Sequence, residues 1–118
     1  MFTIGLLEDE EFIFANWEIL AEDSTIPCKV KWFDSGSKLL KQIKHIDVLI
    51  MDRDLEGFDV ISSGFINTVR DKFSGPILLA SVSTPSKSER DLFDKVLYNK
   101  RPISIKELFE FYQQSSRT

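Results

Sequence analysis

Glu8 and Asp9 close one short apolar run, Asp52 closes a second, Ser81 a third, and Lys100-Arg101 follow a fourth. Gathered in one place, these groups define a chemistry. Close carboxylates repel one another and hold protons more tightly, and a hard divalent cation relieves that repulsion. Magnesium suits such a site, or manganese in its stead. It accepts a few carboxylate oxygens and completes its shell with water and phosphate oxygens. Beside such a charge, one carboxylate can serve as a nucleophile toward phosphorus. A hydroxyl and a side-chain cation can then hold the remaining oxygens. The residue types point to phosphoryl transfer onto a carboxylate.

The elements that must position these groups follow from periodicity. Phe2–Leu7 and Ile46–Met51 are nearly continuous apolar runs, as expected of parallel strands buried on both faces. Cys28–Phe33, Ile77–Ala80 and Val96–Asn99 supply three more strands. A helix is expected from about Glu11 to Glu22, with Phe12, Ala15 and Ile19 on one face and Ile13, Trp17 and Leu20 beside it. Leu39, Leu40 and Ile43 mark a short second helix, and Ile61, Phe65, Val69 and Phe73 a third. Asp54-Leu55-Glu56-Gly57 is expected to be a loop. Thr84-Pro85 has the form of a helix start, with the polar helix running to about Leu92-Phe93. Ser104-Ile105-Lys106-Glu107 has the form of a capping box before a last helix carrying Ile105, Leu108, Phe109 and Tyr112. Phe12, Phe65, Phe73 and Phe109 are assigned to the core. Five strand–helix repeats imply a parallel sheet with helices on both faces, and such sheets carry function at the carboxyl ends of their strands.

Composition bounds the alternatives. The chain has 118 residues, which suits one domain, and its 42% hydrophobic and 29% charged residues describe an ordinary globular protein. The net charge is −4 and no cluster of Lys or Arg forms a face, so nucleic acid is not an expected partner. No stretch is long and apolar enough for a membrane span, and the acidic N-terminus is not a signal peptide. Cys28 stands alone, which fits a reducing cytoplasm and an apolar filler role. One histidine, His45, and no zinc spacing argue against a zinc site.

At this point the chain resembles a response-regulator receiver domain of two-component signalling, over essentially its whole length. Leu6-Leu7-Glu8-Asp9-Glu10 resembles the acidic opening motif, and Asp52-Arg53-Asp54-Leu55-Glu56-Gly57-Phe58-Asp59 the phosphoacceptor loop. Pro76–Ser81 resembles the fourth strand, and Tyr98-Asn99-Lys100-Arg101-Pro102 the fifth. The resemblance implies a flavodoxin-like, doubly wound (βα)5 fold with strand order 2-1-3-4-5, a single receiver domain over residues 1–118, and no effector domain. It implies that Asp52 accepts a phosphoryl group from a sensor histidine kinase or a histidine phosphotransfer protein. Asp9 would hold magnesium directly, Glu8 through water and Asp54 through its backbone carbonyl, with Asp52 also in the metal set. Ser81 and Tyr98 would form the switch, and a cis peptide bond would precede Pro102. The implied protein is a cytoplasmic switch with an unknown output partner. It is not an enzyme beyond self-catalysed phosphotransfer and autodephosphorylation. A homodimer through the fourth and fifth helices stays open, with no strong apolar patch to drive it.

The chain departs from the family pattern at several places. Counting back from Pro102 puts the family's lysine at Arg101, and strand alternation places Asn99 and Arg101 on one side and Lys100 on the other. Lys100 can take the role only if the strand end is irregular. Val60 stands where glycine is common, Glu56 where proline is common, and Val82 replaces a small residue and is expected to narrow access to Asp52. The stretch from Ser81 to Arg101 is slightly short, which implies a truncated or irregular fourth helix. These departures keep a second reading alive, a degenerate receiver acting as a phosphorylation-independent interaction module. A third, a phosphatase opening with Asp52-x-Asp54, lacks the downstream acidic pair that such enzymes need.

Overall fold

The computed structural model describes residues 1–55 and 57–115. Glu56 and residues 116–118 lie outside the described residues. The strands are β1 (Phe2–Leu7), β2 (Cys28–Phe33), β3 (Val48–Asp52), β4 (Asp54–Leu55), β5 (Phe58–Asp59), β6 (Ile77–Ser81) and β7 (Lys95–Tyr98). The helices are α1 (Glu11–Asp23), α2 (Gly36–Gln42), α3 (Phe65–Lys72), α4 (Lys87–Arg90) and α5 (Ile105–Ser115), with a 3-10 turn at Ile43–His45. Five strands form one parallel sheet in the order β2-β1-β3-β6-β7. The two remaining strands pair only with each other, in an antiparallel hairpin directly after β3. With the hairpin set aside, the order is the expected 2-1-3-4-5 and the fold is flavodoxin-like.

Every residue of β1, β3 and β6 is buried, which explains their lack of polar alternation. The period-two alternation of side chains divides the core into two layers. Ile4, Leu6, Val48, Ile50, Leu78 and Leu97 face α1 and α5, where Trp17, Ile105 and Leu108 close over them. Leu7, Leu49, Met51, Ile77 and Leu79 face α2 and α3, meeting Leu39, Ile66 and Val69. The main chain therefore delivers the last residues of β1, β3 and β6 to one edge of a rigid sheet.

Three local features differ from expectation. In α1 the buried residue is Trp17, at 2% exposure, while Phe12 and Ile19 are 61% and 56% exposed. Apolar residues wrap most of this helix, so period alone does not choose its inner face. The bulk of Trp17 does, with Ile13, Phe14 and Leu20 packed at the margin of the same layer. Phe12 is thus not a core residue, whereas Phe73 is buried and Phe65 and Phe109 pack against the core. The loop expected at residues 54–57 is a hairpin, turned at Gly57, whose φ of 90° is cheap only for glycine. Helix α4 starts two residues later than Thr84-Pro85 suggested. Ser86 is its N-cap, in a capping box with Glu89, and only Lys87–Arg90 are helical. Phe93 leaves the helix to enter the core, which limits α4 to about one turn.

Candidate functional site

Glu8, Asp52 and Ser81 are the terminal or adjoining residues of β1, β3 and β6, and each is 1% exposed. Burying three such groups requires partners, and each has them. Glu8 Oε2 accepts from the backbone N–H groups of Asp9 (3.0 Å) and Glu10 (3.3 Å), which shapes the turn into α1. The Glu8 backbone is held too: its N–H donates to Phe33 O, and its carbonyl accepts from the Trp32 indole at 2.6 Å. Trp32 stacks on Phe14 of α1 with ring centroids 5.0 Å apart. Asp52 Oδ1 accepts from the Asp54 N–H at 3.3 Å.

The cation is Lys100. Its Nζ donates to Asp52 Oδ2 at 3.1 Å and to Glu8 Oε1 and Oε2 at 3.2 and 3.4 Å. It also lies 3.6 Å from Glu10 Oε2. Arg101 is exposed and makes none of these contacts, which corrects the count back from Pro102. The physical cause is at the end of β7. Asn99 N–H makes the last ladder bond to Ser81 O, and then Asn99 and Lys100 both take left-handed backbone angles, φ 56° and 57°. Turn bonds from Lys100 N to Leu97 O and Arg101 N to Tyr98 O close the reversal. Strand alternation stops there, so the side chain expected to point away is the one folded over the carboxylates. Asparagine tolerates this region, and the lysine costs roughly 1–2 kcal/mol of backbone strain. Asn99, directly before Lys100, was the signal available in the sequence. The peptide bond before Pro102 is trans, since no cis bond occurs among the described residues.

Burial and mutual repulsion set the charge states. Glu8 is pushed from 4.5 up to about 8, by burial first and by Asp52 next, with Lys100 pulling it back. Burial also raises Asp52, opposed by hydrogen bonds from Glu8, Lys100 and the Asp54 N–H. Burial works against the Lys100 ammonium, but Asp52 and Glu8 outweigh it and hold it above its usual value. Below about pH 8 Glu8 therefore holds its proton, which lessens the negative charge that Lys100 faces.

Glu8, Asp9 and Asp52 each offer an oxygen within 4.8 Å of the others. Magnesium and manganese both take carboxylate oxygens as ligands. The donors are all hard oxygens, so the acidic cluster fits a divalent cation of that type. Asp54 begins the hairpin with its side chain exposed.

The hydroxyl and the aromatic of the expected switch are neighbours across β6 and β7, Ser81 pairing with Tyr98. Ser81 Oγ is turned to Ser83, donating to its carbonyl at 2.6 Å, and Tyr98 is 47% exposed. Val82 is 71% exposed. Sequence reasoning missed Glu10 as a neighbour of the cation and Trp32 as the anchor of the Glu8 carbonyl, because both depend on contacts between β1, β2 and β7.

No family model matches this chain, and no curated protein matches its sequence. Solved structures do. A CheY-like receiver domain from Methylobacillus flagellatus superposes with a TM-score of 0.73 at 18% identity, covering 98% of both chains. A two-component response regulator from Legionella pneumophila gives 0.74 at 17% identity over 100% of both chains. The Mn2+-bound form of response regulator Rcp1 gives 0.68 at 17% identity, covering 97% of this chain and 91% of that one. The chain therefore has the receiver-domain fold of CheY-like response regulators. Among the described residues, no helix is long and apolar enough to cross a membrane.

Proposed function

We propose that this protein is a cytoplasmic receiver, a signalling switch phosphorylated on Asp52 by a histidine kinase or a histidine phosphotransfer protein. The observation that carries this reading is the placement of a fully buried Asp52 carboxylate at the end of the central strand, 3.1 Å from Lys100 Nζ and beside Glu8 and Asp9. An Asp52 oxygen forms the new P–O bond while the P–N bond of the donor phosphohistidine breaks, its electron pair returning to the imidazole. Lys100 is placed to leave its ion pair with Asp52 and neutralise the phosphoryl oxygens. Glu8, Asp9, Asp52 and the Asp54 backbone carbonyl are the groups that would hold Mg2+ or Mn2+. Such an ion supplies the positive charge that a phosphoryl group needs in an anionic pocket. The manganese-bound neighbour supports that choice of metal class.

Ser81 would exchange its bond to Ser83 for one to a phosphoryl oxygen, and Tyr98 would turn inward behind it, altering the surface around β7. A phosphorylation-independent module was favoured by an arginine in place of the lysine, and the position of Lys100 takes that support away. The exposure of Val82 weakens the same reading. The test is incubation with Mg2+ and a small-molecule phosphodonor, followed by intact mass. One phosphoryl is expected on the wild type and none on Asp52→Ala. An unmodified wild type would favour the interaction module.

A further inference from the structure

Arg53 follows Asp52 directly, yet its guanidinium is engaged elsewhere. Nε donates to Asp59 Oδ2 at 3.0 Å, while Nη1 and Nη2 donate to the two oxygens of Glu89 at 3.3 and 2.6 Å. The side chain is only 16% exposed, and Asp59 and Glu89 are 23% and 25% exposed. Both acids are already fixed by their own backbone. Asp59 Oδ1 accepts from the N–H groups of Ile61 and Ser62. Glu89 Oε1 accepts from Ser86 N in the capping box. A planar guanidinium meeting two pre-set carboxylates, one of them bidentately, loses little freedom on binding. Arg53 is itself fixed, its N–H bonded to Ala80 O and its carbonyl to Val60 N.

Helix α4 needs such a tie. Its four residues all lie outside the core, its apolar anchors being the flanking Pro85 and Phe93, and one isolated turn is unstable in water. We infer that Arg53 is a clamp, a positioning residue that binds α4 to the loop carrying Asp52 and makes the placement of that helix follow the state of the loop. Its regulatory meaning rests on Asp52 being the phosphoacceptor: a phosphoryl group would disturb Arg53 and Asp59, and Arg53 would pass that disturbance to Glu89. This route is separate from the exchange at Ser81 and Tyr98.

Amide hydrogen exchange of the full chain, resolved over residues 86–93, tests the clamp. Arg53→Met and Glu89→Gln should each speed exchange there by roughly tenfold. The double variant should be no faster than either single, and Arg53→Lys should recover part of the protection. Glutamine still suits the capping box, so Glu89→Gln removes the ion pair and keeps the cap. Unchanged exchange in Arg53→Met, or additive effects in the double variant, would overturn the clamp. Intact mass after phosphodonor treatment reports separately on Asp52. A wild type that takes up no phosphoryl sinks the phosphoacceptor reading and leaves the clamp to stand on the exchange data. A phosphorylated protein whose residues 86–93 respond equally in wild type and Arg53→Met refutes transmission through Arg53.

Discussion

Lys100 Nζ stands 3.1 Å from Asp52 Oδ2, across 48 residues of sequence, and the neighbouring Arg101 takes no part in the contact. Two consecutive left-handed residues make the difference between them. Lys100→Met leaves two buried carboxylates without their cation, a loss that costs about 3–5 kcal/mol when no proton compensates. Glu8, at about 8, already holds its proton near neutral pH, so a smaller loss of about 2–3 kcal/mol is expected there, together with loss of phosphorylation at Asp52. Arg101→Met should stay within about 0.5 kcal/mol and phosphorylate normally. Urea titration and intact mass read both effects, and the reverse pattern would show that Arg101 is the working cation.

The left-handed turn is itself testable. Asn99→Gly should be tolerated, since glycine adopts positive φ freely. Asn99→Val puts a β-branched residue where φ is 56°, and should destabilise by about 1–2 kcal/mol and slow phosphorylation by withdrawing Lys100. Equal phosphorylation rates in the two variants would mean that Lys100 reaches Asp52 without this turn.

Stability should depend on pH in a direction fixed by Glu8. Its folded-state value of about 8 lies above the ordinary 4.5, so the folded protein binds this proton more tightly than the unfolded chain. That contribution is complete below pH 4.5 and is lost as pH rises through about 8. Asp52, also raised, acts in the same direction. In EDTA the urea midpoint should therefore fall between these limits. Millimolar Mg2+ should flatten the decline by taking the place of the proton. A midpoint independent of pH in EDTA would contradict the charge assignment.

The two candidate inner faces of α1 separate cleanly. Trp17→Ala removes a side chain that is 2% exposed and should cost about 3–5 kcal/mol. Phe12→Ser, at a position 61% exposed, should change stability by less than about 0.5 kcal/mol. Thermal unfolding followed by circular dichroism distinguishes them, and a large loss in Phe12→Ser would restore the face suggested by periodicity.

Much of this protein was determined by its sequence alone. The uninterrupted apolar runs ending in Glu8, Asp52 and Ser81 specify buried parallel strands, and five strand–helix repeats specify the sheet that carries their ends to one edge. Such patterns are legible because side-chain direction repeats every two residues in a strand and every 3.6 in a helix. Period is silent where repetition stops. The tertiary structure alone decided which of Lys100 and Arg101 meets Asp52, because a pair of positive φ values cancels the strand's alternation. It also decided which side of α1 is buried and that Arg53 grips Glu89 from 36 residues away. Those outcomes depend on which surfaces meet in space, and local residue patterns carry no record of that.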